Sequence, residues 1–348
     1  MIRFAWLQSR TQLATAYALL AAVTVAALIT GVQLAHVYET SVAHCQIGCS
    51  QVTANYLSRA SFMDKTLDIL ARVVPALLGL FWGAPLLARE FESGTYRLAW
   101  TQSISRRRWL LTRIGVGALA TLTLAALFSL VVTWWYADRD RVGANTFDLL
   151  DRRDLAPVAY AVFAFAVGVM SGALIRRTVP AMAATLGLFV FARIAVNLWV
   201  RPHLLPARHA IVSLARSGPV QLGIGVNNGG SIHLFAKGGA PPNAWTQASD
   251  FVTLSGQRVS SSQLSAFLQQ HCSGLIAAGR AGAPDGKAAA DDPAPRCLDE
   301  VAQTFKLAVS YQPASRYWIF QWLEAGIFLM LGAAAIGVTY RWVTRRAH

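Results

Sequence analysis

Residues 89–113 read REFESGTYRLAWTQSISRRRWLLTR. Apolar runs long enough to cross a bilayer flank this stretch, about Leu67–Leu87 before it and Leu111–Tyr136 after it. It carries Arg89, Arg97, Arg106, Arg107, Arg108 and Arg113 against Glu90 and Glu92. A short, strongly basic connection between two spans belongs in the cytoplasm by the positive-inside rule. Gly94-Thr95 stops the helix coming out of the preceding span, and Ser105 is placed to cap the next one. Arg106–Arg108 in a first helical turn oppose the macrodipole, so an anionic membrane surface is the better account of them. Tyr96, Leu98, Trp100 and Ile104 add apolar contact surface. The stretch is expected to be a docking element for a cytoplasmic partner.

Working outward, the rest of the chain suits a polytopic membrane protein. Only 14% of its 348 residues are charged, against about 25% in soluble domains. The net charge of +14 sits mostly in four pieces assigned to the cytoplasm, so it is an orientation signal, and nucleic acid is not an expected partner. Six spans are expected, at about 13–34, 67–87, 111–136, 155–174, 181–200 and 317–340, with both termini inside. Residues 1–12 are expected to form an interfacial helix on the inner leaflet, followed by spans 1–5 within 13–200. Residues 35–66 and the near-neutral 137–154 are assigned to the outer side. Pro75 is expected to kink span 2, and Gly168 and Ser171-Gly172 supply small residues for close helix packing. Residues 201–316 form an external domain with strand-like pieces near 231–235 and 251–254, a Ser-capped helix at 260–270 and a loop at 278–296. Residues 317–348 form span 6 and a basic tail. The fold class is thus an all-α polytopic membrane protein with a small mixed α/β external domain between spans 5 and 6.

No G-x-x-x-x-G-K-[ST] occurs, so the chain has no P-loop, and the Gly-rich GIGVNNGG at 223–230 lacks the lysine. Cys45, Cys49, Cys272 and Cys297 all fall in segments placed outside, which favours disulfides. Of three connectivities, Cys45–Cys49 with Cys272–Cys297 is preferred, because each pair closes a loop within one segment. No zinc spacing is present, and no catalytic constellation stands out. Ionisable residues inside spans are costly and mark function or structure. Arg193 lies seven residues inside the outer end of span 5, and Glu324 seven residues inside that of span 6. Both are therefore about 10 Å deep and are expected to pair. Arg72 is a third candidate for that level, with Asn197 and Gln321 nearby. The group is read either as a clamp between spans 5 and 6 or as a polar lining or gate of a transport path.

The segment AREFESGTYRLAWTQSISRRRW resembles the cytoplasmic loop of type-2 ABC exporter permeases, particularly a large actinobacterial group. So do FWGAPLLARE at 81–90, LIRRTVPAMA at 174–183 and YQPASRYWIFQWLEAGIF at 311–328. The resemblance is weakest over about 223–309. In that family an Arg-Glu, a further Glu and a Gly-Thr pair lead into a coupling helix, and here these are Arg89, Glu90, Glu92, Gly94 and Thr95. It implies a separately encoded ATPase partner in two copies, carrying Mg-ATP, with no cofactor and no enzymatic site in this chain. It also implies a second permease copy, a homodimer being the simpler arrangement, in a bacterial plasma membrane. Arg176-Arg177 would be a second ATPase contact or a basic membrane anchor. The expected cargo is hydrophobic or amphipathic: drug, lipid or peptide. Two other classes stay open, a membrane-anchored sensor or assembly factor and a proton-coupled transporter using Glu324.

Overall fold

The computed structural model describes residues 2–45, 49–94, 105–141, 145–214, 220–226, 232–272 and 294–345. They form two units, Met1–Leu204 with Tyr317–His348, and Leu205–Arg316.

The first unit is helical. Helix α1 (Ile2–Val37) ends in a π-helical turn, Tyr38–Val42. Helix α2 (Cys49–Leu78) passes through a π turn at Gly79–Gly83 into α3 (Ala84–Ser93). Then come α4 (Arg106–Arg141), α5 (Ala156–Ile175) and α6 (Thr178–Ala195), the last extended by a π turn at Val196–Val200. Helix α9 (Tyr317–Arg345) closes the unit. Six stretches among the described residues are long and apolar enough to cross a bilayer.

Helix α5 is the axis of this unit. Its apolar window is 72% buried, against 22–39% for the other five. Small residues make that possible. A Cβ added at Gly168 would stand 2.5 Å from the Gly79 carbonyl oxygen and 2.7 Å from the Ala84 nitrogen. One at Gly83 would stand 2.6 Å from the Phe165 oxygen, and Gly172 abuts the Ala84 oxygen. The π turn of span 2 therefore lies backbone to backbone on α5, the close approach that small residues allow in membranes. Pro75 sits one turn before it, inside α2.

The structure refines three of the sequence readings. Residues 2–12 are the first turns of one unbroken helix with the first span, not a separate element. Residues 35–66 are largely helical: helix runs to Val42, α2 starts at Cys49, and a Cys45–Cys49 disulfide joins the two. Tyr56, Ala60, Met63 and Leu67 are buried at helical spacing there. The resulting stretch Gln51–Ser93 has 43 residues, about 64 Å at 1.5 Å per residue, twice a hydrocarbon core of ~30 Å. Residues 145–155 pack inward, with Phe147, Leu149, Leu150 and Arg153 all buried.

The second unit is mixed α/β. Strands β1 (Arg208–Ser213), β5 (Phe305–Gln312) and β4 (Trp245–Thr253) form an antiparallel sheet in the order β1-β5-β4. Strands β2 (Val220–Val226) and β3 (Ile232–Gly238) form a hairpin. Thus Gly223–Val226 of the Gly-rich stretch are strand, while 227–230 lie outside the described residues. Helix α7 (Ser261–His271) opens with a capping box: the Gln263 amide donates to Ser260 Oγ at 3.2 Å, and the Ser260 amide donates to Gln263 Oε1 at 2.9 Å. Helix α8 (Ala294–Thr304) begins inside the expected 278–296 loop, whose earlier part lies outside the described residues. A Cys272–Cys297 disulfide joins the two helices, and Leu268, Val301, Leu307 and Val309 make the core beside it. The bridge spans 25 residues of chain, a loop whose closure is worth about 3.5 kcal/mol in the chain-entropy account. A C272S/C297S double variant should lose about that much stability in this unit, measured by denaturant unfolding followed through its strand signal.

Candidate functional site

At one end of the helical unit the ends of four spans meet. Leu87, Trp109, Leu110, Ala173 and Val343 share one buried cluster. Helix α3 stops because Gly94 takes a left-handed conformation, φ +71°, which only glycine adopts freely. Ser105 caps α4, its Oγ accepting from the Arg108 amide at 3.3 Å. Glu90 is buried and pairs with Arg113 of α4 at 2.7 Å. Glu92 accepts from the Thr178 amide at 3.0 Å and from its hydroxyl at 2.6 Å. A carboxylate on α3 therefore caps the N-terminus of α6, where amides lack intrahelical partners and negative charge is favoured. Arg176 ends α5 in the left-handed region, φ +59°, with its guanidinium 5.6 Å from the Phe91 ring centre. Arg177 precedes α6 in extended conformation, and Arg89 is exposed. Thr95, Tyr96, Arg97, Leu98 and Trp100 lie outside the described residues.

At the opposite end lies a network of charges. Glu324 is fully buried. Arg201 grips it with two hydrogen bonds, Nε to Oε2 at 2.9 Å and Nη2 to Oε1 at 2.8 Å, and the Tyr160 hydroxyl donates to Oε1. Arg193 is the secondary partner, 3.6 Å from Oε1, with its guanidinium 3.6 Å above the Tyr160 ring centre and a 3.2 Å bond to Asp151. Asp151 lies 4.0 Å from Arg152, which pairs with Asp68 at 2.8 Å. Arg72 belongs here: it binds Asp68 at 3.0 Å and does not join Glu324. Arg153 is held by Asp140 at 2.7 Å and donates to the Tyr317 hydroxyl, which donates to Asp154 at 2.5 Å. Burial works against the Arg153 charge, but the bonds to Asp140 and Tyr317 outweigh it and hold its pKa above the ordinary arginine value.

Gln321 bonds to the backbone. Its Oε1 accepts from the Ala156 amide at 2.9 Å, a free amide of the first turn of α5, and its Nε2 donates to the Leu150 carbonyl at 2.8 Å. Asn197 is exposed and is not part of the cluster. The sequence reading missed Arg201, Tyr160 and the Asp151–Asp154 run. The signal for Arg201 was its place one turn beyond Val196, on the Glu324 side of span 5 and just past the apolar run.

The two ends differ in kind. The loop end ties the ends of α3 and α5 to the starts of α4 and α6 by the largely buried Glu90–Arg113 pair and by caps. At the opposite end, paired charges link α2, α4, α5, α6 and α9. The cysteine pairs are disulfides, as preferred from sequence. No curated protein and no solved structure matches the chain. The family described as ABC-2 membrane transporter related matches residues 17–201, which take in the first five spans, the loop end and Arg201. The chain therefore belongs to that family, as the membrane component of an ABC transporter system that works with an ATPase partner.

Proposed function

We propose that this chain is the permease subunit of an ATP-driven exporter for a hydrophobic or amphipathic substrate. Two copies of a P-loop ATPase carrying Mg-ATP power it, and two copies of the chain make the membrane path. The loop end faces the cytoplasm, in keeping with its basic residues, and the second unit faces outward. The plasma membrane is the site that the oxidised cysteines suit.

One observation carries this reading. Glu92 leaves α3 one residue before the helix stop and caps α6 through Thr178, while Glu90 two residues earlier holds α4 through Arg113. A push on the connection between Gly94 and Ser105 is thereby delivered to three spans at once. A transport route that protonates Glu324 fits less well, because both its oxygens are engaged and no solvent reaches it.

The test separates docking from transmission. Glu92→Ala should leave the ATPase bound to the purified permease while lowering substrate-stimulated ATP hydrolysis and export several-fold. Unchanged transport by both Glu92→Ala and Glu90→Ala would contradict the role given to these contacts.

A further inference from the structure

Helices α1 and α2 do not close fully against each other. Between them lies a cavity of about 170 Å³ lined by Thr30, Gln33, Leu34, Val37, Arg59, Ala60, Phe62 and Met63. Its walls are apolar, and its two charged or amide groups are Arg59 and Gln33. Neither has a hydrogen-bond or ion-pair partner among the described residues. The Thr30 hydroxyl is already occupied, donating to the Ala26 carbonyl at 2.8 Å and accepting from Trp135 Nε1 at 3.2 Å. Phe62 is 79% exposed beside it, an aromatic face turned to the surroundings of the bundle.

Depth orders these groups. The first apolar stretch starts at Ala14, and Gln33 follows nineteen residues later, about 29 Å along a helix. That is one hydrocarbon thickness, ~30 Å. The Arg59 and Gln33 edge thus reaches the headgroup level with Leu34, while Thr30 on α1 and Met63 on α2, each nearer the middle of its span, continue toward the bilayer interior. A volume of 170 Å³ is below the ~300–1,000 Å³ of a drug-sized site. It suits a length of one hydrocarbon chain. An apolar void of this kind stays dry, so in a bilayer an acyl chain is its natural filling.

We propose that the α1–α2 cavity binds an anionic phospholipid, the phosphate on Arg59 and Gln33 and the upper part of one acyl chain against Leu34, Ala60 and, deeper, Met63 and Thr30. Charge complementarity selects the occupant: a cation without an acidic partner stands at the mouth of an apolar slot, at the depth where lipid phosphates lie. The site needs only the membrane-spanning reading, and binding is read without ATP, so its failure would leave the coupling proposal standing.

The experiment is native mass spectrometry of the full-length chain in detergent. The chain is titrated with phosphatidylglycerol or with phosphatidylcholine of the same acyl chains. The wild-type chain should retain phosphatidylglycerol in preference. Arg59→Gln should lower that retention about fivefold, to the level of the zwitterionic lipid, the effect of about one basic group at an anionic surface. Arg59→Lys should keep most of it. Leu34→Trp, which fills the slot, should lower retention of both lipids. Equal retention of the two lipids by the wild-type chain, or full phosphatidylglycerol retention in Arg59→Gln, would overturn the proposal. Should Leu34→Trp fail to fold, the Arg59 pair alone decides.

Discussion

Arg201→Met should destabilise the helical unit by about 3–5 kcal/mol, the usual cost of removing one partner of a buried ion pair. The Glu324 carboxylate has no exposure, and Arg201 supplies two of its hydrogen bonds. Once that fork is gone, Arg193 at 3.6 Å cannot replace it, because its own closest acidic contact is Asp151 at 3.2 Å. Arg193→Met should therefore cost less than Arg201→Met. The double variant Arg201→Met with Glu324→Met removes both unpaired charges and should be more stable than either single variant. Chemical unfolding of the wild type, the three single variants Arg201→Met, Arg193→Met and Glu324→Met, and the double variant in one detergent measures all of this. A larger loss for Arg193→Met, or additive losses in the double variant, would show that the clamp is built differently.

Gly168→Val should cost about 3 kcal/mol, the upper part of the range for overpacking. The new Cβ would meet the Gly79 oxygen at 2.5 Å, the Ala84 nitrogen at 2.7 Å and the Gly83 carbon at 2.9 Å. All three are backbone atoms, so no side chain can rotate away, and the π turn of span 2 must leave α5. Gly337→Ala is the control. It lies in α9 with nothing within 4 Å of its added Cβ, and there alanine should be neutral or stabilising by up to about 1 kcal/mol. Comparable losses at the two positions would mean that the glycine contact does not set the crossing of α5 with span 2.

Much of the architecture was legible because membrane solvent imposes a simple code. Long apolar runs gave the six spans, Gly94 the helix stop, Ser105 and Ser260 the helix starts. Separation along the chain was enough to prefer the two disulfides that form. Equal depth from the two helix ends brought Arg193 near Glu324, but it did not rank the partners. Arg201 follows the last apolar residue and opens the polar segment, yet helix continues through the Val196–Val200 π turn and carries it back toward Glu324. The run Asp151-Arg152-Arg153-Asp154 belongs to a near-neutral segment placed on the outer side from its balanced charge. That same balance is what permits burial, since each charge finds an opposite partner. Arg72 was read by depth alone, and its i−4 neighbour Asp68 takes it. Residues 49–66 were missed as helix because a search for continuous apolar runs ignores an amphipathic stripe. Most of the strands of the second unit went unread because their partners lie far away in sequence: β1 pairs with β5 across about a hundred residues.

The central claim is that the loop end is where an ATPase drives the permease. A photo-crosslinking amino acid at exposed Arg89, introduced in cells that carry the full system, tests it most directly. The account predicts a covalent product with a P-loop ATPase, identified by mass spectrometry. It also predicts no such product from the same crosslinker at Leu254, an exposed residue of the second unit. Crosslinking of the ATPase from Leu254 but not from Arg89 would contradict the account. So would purification of the intact permease with no ATPase attached at either position.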